Sequence, residues 1–349
     1  MATDGKSLNN PQDNVIPVRA GFAGAVSYQA QGIHYMVRAE SCDINAKQEI
    51  NALPDVDGAI DHTRYWLSPF AIDGNLTFPL DSAQDSDSFA VFERFYTDAV
   101  LRKADGNLQT RSENRKLHVR YYPGYSYTYL DMAIDSFGLS VSQGDVLKAT
   151  VGMKGRGRQN METGDQPNFD ATEDLAPVRA IQFNDIEIMI SPSEGIEGKG
   201  GMTEDIISKV VRSFDMTINN NTEYVYTLSS ALTPYDIIAK KREITGSIQF
   251  AGVQEHLAAW AATHETRAQS AVDLTFRVKF GPSTTIDLFK LRGVVFQIET
   301  VSITNDLVET VMNYRAYGHQ GFNFEAISKF TDTSSSANDD VLPFHFHNL

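Results

Sequence analysis

His345 and His347 are separated by one residue, so on an extended strand both imidazoles project from one face and could grip a metal ion. No third ligand clusters with them, and a polar tail is the simpler reading. The remaining histidines stand in no Ser–His–acid pattern, so no catalytic residue and no metal site is assigned. Gly198-Lys-Gly-Gly201 lacks the spacing of a phosphate loop and the Ser or Thr that should follow its lysine. Asp81, Asp85 and Asp87 lack the glycine turn and the terminal glutamate of a calcium loop. No constellation favours an enzyme, and no cofactor is expected.

Two further groups could bind rather than react. Lys154-Gly-Arg-Gly-Arg158 is a basic cluster that could touch nucleic acid. Lying at a strand end beside an acidic stretch, it fits better against the carboxylates of a neighbouring subunit. Tyr121, Tyr122, Tyr125, Tyr127 and Tyr129 could stack bases or sugars. A subunit interface or an amphipathic hairpin explains them more simply.

The 349 residues carry a formal net charge of −15. That balance argues against wrapping nucleic acid by phosphate neutralisation and suits a surface that repels a polyanion. One cysteine, Cys42, forbids an intrachain disulfide framework. The polar first 20 residues contain no apolar run, so we expect no signal peptide, and no stretch has the length of a membrane span. A soluble protein of a reducing compartment is expected.

The elements that must position these groups read mainly as strands. Phe214, Met216 and Ile218 alternate on one face, as do Ile244, Ile248 and Phe250. Further strands are expected over Asp273–Phe280, Val294–Ile303 and Leu307–Tyr317, and in the first half over Phe70–Phe78, Lys116–Tyr122, Tyr127–Leu139 and Val146–Lys154. Helical spacing marks Ser88–Lys103, with Phe89, Phe92, Phe95, Tyr96 and Val100 on one stripe, and Val253–Arg267. Residues 1–20 read as an N-terminal arm and 330–349 as a C-terminal tail. The acidic stretch Gln159–Ala176 reads as a linker between modules at 21–158 and 177–329.

The two halves repeat one order of elements. Ile44-Asn45 and Glu49 fall on Ile218-Asn219 and Glu223. At a spacing two residues shorter, Ile72, Gly74, Leu76 and Phe78 fall on Ile244, Gly246, Ile248 and Phe250. Leu117 and Arg120 fall on Leu274 and Arg277, and Asp145-Val146-Leu147 falls on Asp306-Leu307-Val308. We read an internal duplication. Gly74 and Gly246, inside strands, suggest a bulge or bend. Asn219-Asn220-Asn221 suits a tight turn after a strand.

Ser213-Phe-Asp-Met-Thr-Ile-Asn-Asn-Asn-Thr-Glu-Tyr224, followed by Lys241-Arg-Glu-Ile-Thr-Gly-Ser-Ile248, resembles a pattern of bacteriophage tail tube proteins, with Ile218, Asn219, Glu223, Arg242, Thr245 and Gly246 at the matching positions. The resemblance covers roughly Ile181 to Gly318 and survives in the first half as the degraded copy above. It implies two tandem β-sandwich or barrel modules, each with one flanking helix, oligomerised so that strands line a channel. It also implies a structural virion protein, assembled in the host cytoplasm, whose rings stack into a tube that conducts the genome. A baseplate or hub component with the same module, or a carbohydrate-binding β-sandwich of a fibre, are the alternatives. Family modules form hexameric rings, so two modules per chain imply a trimer; a hexamer of whole chains is the other possibility. Implied partners are further copies of the chain, sheath or terminator and baseplate proteins, a tape measure protein in the lumen, and DNA that passes without specific binding. The long loops after the first strand of each module would join stacked rings, through Asn51, Asp55, Asp57 and Asp61 in one and Asn220, Asn221, Tyr235 and Asp236 in the other.

Overall fold

A computed structural model describes residues 25–30, 33–53, 64–81, 87–100, 115–122, 125–160, 179–192, 205–206, 210–228, 232–252, 272–280, 284–304, 307–316 and 331–332. The first half contains β1 (Ala25–Ala30), β2 (Ile33–Val37), β3 (Ser41–Cys42), β4 (Asn45–Lys47), β5 (Ile50–Leu53), β6 (Arg64–Leu67) and β7 (Ala71–Pro79). Helix α1 (Asp87–Val100) follows, then β8 (Lys116–Tyr122), β9 (Tyr125–Leu130), β10 (Ala133–Ser142), β11 (Lys148–Gly155) and β12 (Gly157–Asn160). The second half contains β13 (Ile186–Pro192), β14 (Asp205–Ile206), β15 (Val211–Asn219), β16 (Glu223–Val225), β17 (Asp236–Ile238), β18 (Glu243–Ala251), β19 (Val272–Phe280), β20 (Thr284–Thr304), β21 (Leu307–Ala316) and β22 (Thr331–Asp332). The fold is mainly β, as the alternation implied. The second expected helix, Val253–Arg267, lies outside the described residues.

One sheet runs through both halves in the order β14-β13-β19-β20-β21-β18-β15-β10-β11-β7-β3, and a second has the order β12-β9-β8-β1-β2. All pairings between these strands are antiparallel. In the second half, β14-β13-β19-β20 continues into β21-β18-β15. In the first, β2-β1-β8-β9 and β10-β11-β7-β3 follow the same succession, but the expected single strand over Tyr127–Leu139 is divided. Asp131, at φ 52, and Met132 separate β9 from β10, where β20 runs on as one strand. Gln159 and Asn160, read as the start of a linker, pair instead with Thr128 and Tyr127.

The core follows from period-two alternation. In β10, Phe137, Leu139 and Val141 are buried while Ser136, Ser140 and Ser142 lie on the other face. In β18, Ile244, Ile248 and Phe250 are buried between Thr245, Ser247 and Gln249. Helix α1 presents Phe92, Phe95 and Tyr96 inward: Phe95 meets Tyr28 of β1 at a ring separation of 4.5 Å, and Phe92 meets Phe137 of β10 at 5.7 Å. Burying each such ring contributes about 1.5–3 kcal/mol. Asp98 of α1 accepts from Tyr28 at 2.7 Å and Arg115 at 2.9 Å, pairing a buried carboxylate. In the second half Phe276 stacks on Phe289 at 5.0 Å and Phe214 meets Phe276 at 4.8 Å.

Neither Gly74 nor Gly246 is a bulge, because the register of the strands paired with them is the same on both sides of each glycine. Close approach explains them instead. A Cβ on Gly74 would stand 2.6 Å from the Asp43 carbonyl oxygen, and one on Gly246 would strike the Asp215 carbonyl oxygen and the Tyr314 ring. Gly74 also has φ +151, which a side chain would strain.

Candidate functional site: the seam between the halves

β10 and β15 join the two halves of the large sheet. Phe137 lies opposite Ile218, Leu139 opposite Met216 and Val141 opposite Phe214, all six buried. At its start β10 shifts register between Ile134 and Ser136, which makes Asp135 an inserted residue. That insertion turns Asp135 toward the chain leaving β15. Its carbonyl accepts from Asn220 N at 2.7 Å, and its carboxylate accepts from Thr222 N at 2.7 Å and from the Thr222 hydroxyl at 2.5 Å. Lys154 of β11 completes the corner, with Nζ 3.3 Å from Asp135 Oδ2 and donating to the Thr222 carbonyl at 2.6 Å.

The three asparagines after β15 divide the work. Asn219 Oδ1 accepts from Asn221 N at 2.9 Å, and Asn221 takes the left-handed conformation at φ 48, as the turn reading required. Asn220 is buried and donates across the seam to the Ala99 and Ile134 carbonyls, each at 3.1 Å. Arg242 Nε donates to Asn220 Oδ1 at 3.0 Å. Ile218 lies in the core, Thr245 pairs with Thr217 in the ladder, and Glu223 pairs with Lys240 at the surface, which lowers the Glu223 pKa. The residues of the sequence pattern therefore gather at this corner. Asp135, Lys154, Asn219, Asn221, Thr222, Glu223, Lys240 and Lys241 surround an open depression of about 500 Å³ there.

Other expected residues lie elsewhere. Asn220, assigned to a loop between rings, is turned into the seam, and Asp236 is buried with its carboxylate on Ile237 N at 2.9 Å. Tyr235 is exposed, Asn221 and Asn51 are half-buried, and Asp55, Asp57 and Asp61 lie outside the described residues. The two loops form small hairpins, β5–β6 and β16–β17. Ile50, Tyr65 and Trp66 on or beside the first, and Tyr226, Leu228, Leu232 and Tyr235 on the second, are exposed large apolar residues. The second hairpin rests on the start of β7, where Tyr226 donates to the Phe70 carbonyl at 3.0 Å and Phe70 N to the Leu232 carbonyl at 2.7 Å.

The basic cluster makes contacts within the chain. Lys154 binds Asp135, Arg156 binds Asp131 and the Pro234 carbonyl, each at 3.3 Å, and Arg158 sits 4.5 Å over Tyr127. Two tyrosines of the run are engaged at the large sheet. Tyr129 is buried, its hydroxyl donating to the Ile44 carbonyl at 3.0 Å, and Tyr121 shares a hydrogen bond with it at 2.8 Å. Burial pushes the pKa of both hydroxyls up. His118 is buried between Thr128 and Gln29, a structural role. His345, His347 and Asp85 lie outside the described residues; among those described, Asp81 pairs with Arg38 at 3.9 Å and Asp87 opens α1. Among the described residues no group of acidic, His and Cys side chains could hold a metal, and no helix is long and apolar enough to cross a membrane.

Asp135 and Lys154 were not anticipated as seam residues, since an inserted residue in a strand has no signature in composition. A family model described as phage tail tube protein matches residues 26–326, spanning both halves and the seam. The chain belongs to the phage tail tube protein family. No protein of curated function matches it. As a tail tube protein it is a structural component of the bacteriophage tail, and its corner of asparagines joins strands of the two halves.

Proposed function

We propose that this tail tube protein polymerises into stacked rings that form the genome conduit, each ring built from three chains carrying two tube modules apiece. The observation that carries this reading is the repeated pairing of the two halves in register. Asp43 approaches Gly74 and binds Asn75 N; Asp215 approaches Gly246 and binds the Ser247 hydroxyl, at the same spacing along the chain. That spacing aligns Ser41-Cys-Asp43 with Ser213-Phe-Asp215, and Ile44 with Met216 rather than with Ile218. Ile72, Leu76 and Phe78 align with Ile244, Ile248 and Phe250 at the same spacing.

The sheet face opposite the core supports a channel wall. It carries Thr77 and Thr150, hydrogen-bonded at 3.2 Å, with Ser136, Ser140, Thr217, Ser247 and Asn313. The same face carries Lys148 and Lys154 among Asp215 and these uncharged side chains, which add no ionic attraction for phosphate. The exposed apolar residues of the β5–β6 and β16–β17 hairpins favour those loops as the contacts between rings. Partners beyond the chain itself would be sheath or terminator, baseplate and tape measure proteins.

Cryo-electron microscopy of the purified protein tests the reading. Three chains per ring with pseudo-sixfold symmetry are expected. Six chains per ring, each with one module at the lumen, would overturn the duplication. A few copies per virion would favour a hub.

A further inference from the structure

The internal seam is one module edge docked on another, so it is also a template for the edges left over. β20 repeats β10, with Phe137 opposite Val151 matching Ile298 opposite Met312. Past Val294, β20 pairs only with β21, so the edge of Gln297–Thr304 that corresponds to the β15-bearing edge of β10 has no strand on it among the described residues. β3 and β4 repeat β15, and among the described residues they pair only with β7. Among the described residues each chain thus presents one edge of each kind, on opposite sides of the run β20-β21-β18-β15-β10-β11-β7-β3.

We infer that Gln297–Thr304 of β20 pairs antiparallel with Glu40–Lys47 of a second copy of this chain, in the register of the β10–β15 seam. This rests on the ring reading above and names the edges that close it. Carrying Phe137–Ile218, Leu139–Met216 and Val141–Phe214 across the repeat puts Ile298 opposite Ala46, Val301 opposite Ile44 and Ile303 opposite Cys42. Apolar residues thus stand at every position where the internal seam has them. The contact is head to tail, so repetition closes a ring and leaves no free edge to aggregate. The receiving edge is already ordered: the Tyr129 hydroxyl holds the Ile44 carbonyl at 3.0 Å where the ladder to β7 is interrupted. Tyr121 places its hydroxyl 3.4 Å from the same carbonyl, so two side chains of the second sheet fix the receiving strand.

Cys42 is the single cysteine of the sequence, which makes the register measurable. Residues directly opposite in antiparallel strands have Cα atoms about 4.5–5.5 Å apart, within disulfide range. Ile303→Cys should therefore give covalent chains on copper-phenanthroline oxidation of assembled protein, resolved on a non-reducing gel. Adding Cys42→Ala should abolish them, and Ser302→Cys, one residue out of register, should cross-link at least about tenfold less. A series ending at three chains upholds seam and trimer; one ending at six upholds the seam and sinks the three-chain ring. Should Ile303→Cys fail to assemble, Ala46→Cys with Ile298→Cys in the Cys42→Ala background probes the other end of the same register. Rings that form normally yet cross-link at neither pair overturn the seam and leave the ring reading standing. Wild-type protein that forms no rings overturns both.

Discussion

Asp135, in the first half of the chain, holds the backbone N–H of Thr222, in the second, at 2.7 Å. The bond spans the point where β15 ends, and Lys154 neutralises the carboxylate from the other side at 3.3 Å. With Asn220 it makes the corner a polar clasp over a seam whose interior is apolar.

Asp135→Ala should destabilise the protein by about 1–3 kcal/mol, because it strands the Thr222 donors and leaves Lys154 without its carboxylate. Asn220→Ala should cost a similar amount by orphaning the Ala99 and Ile134 carbonyls. Denaturant titration measures both, and Asp135→Asn, which keeps an acceptor oxygen, should lose less. Wild-type midpoints for both alanine variants would remove the clasp from the stability of the seam.

Gly246→Ala should cost several times more than Gly144→Ala. A Cβ at 246 meets the Asp215 carbonyl and Tyr314, whereas at 144 it meets nothing within 4 Å. At Gly144 only the strain of φ +85 remains, about 1 kcal/mol. Thermal melts of the two variants give the comparison; equal losses would place the cost of Gly246→Ala in conformation rather than contact.

Alkaline pH should unfold the protein as its buried tyrosines ionise. Burial raises the pKa of Tyr28, Tyr96 and Tyr314 well above the ordinary value. A pKa raised on folding gives stability that is complete below the unfolded value, about 10, and is lost as pH rises beyond it. Among the described residues the buried Tyr96 hydroxyl has no hydrogen-bond partner, so Tyr96→Phe should be neutral or stabilising and should delay alkaline unfolding. Tyr28→Phe, which removes the bond to Asp98, should instead cost about 1–2 kcal/mol at neutral pH. Fluorescence melts across pH 7 to 12 distinguish the two.

Trp66→Ser combined with Leu228→Ser should leave rings intact and shorten or abolish tubes. Both side chains are exposed on the two hairpins and contribute little to the fold of a single chain. Electron micrographs scored for rings against filaments provide the check. Filaments of normal length would remove these hairpins from the stacking contact.

The alternation of Phe214, Met216 and Ile218, and of Ile244, Ile248 and Phe250, was enough to read strands with one dry face, because side-chain direction in a strand depends only on neighbouring residues. The stripe of Phe92, Phe95 and Tyr96 gave the helix for the same local reason. Ser41-x-Asp43 and Ser213-x-Asp215 are harder to match in the residues alone than Ile44-Asn45 and Ile218-Asn219, because the shared role of the two aspartates lies in the glycines they approach. What Gly74 and Gly246 are for was not legible. A carbonyl arriving from another strand demands a glycine as surely as a bulge does, and which of these applies depends on atoms distant in the chain.

The sequence by itself therefore determined the elements, their mostly β character and the family pattern at Ile218 to Gly246, all of which rest on local periodicity and turn chemistry. Only the tertiary structure decided that the halves share one sheet, that Asp135 is an inserted residue and that Asn220 faces inward. Strand pairing is chosen by edges that meet across long separations, and backbone hydrogen bonds are the same for every residue type, so the partner of an edge leaves almost no trace in the residues that form it.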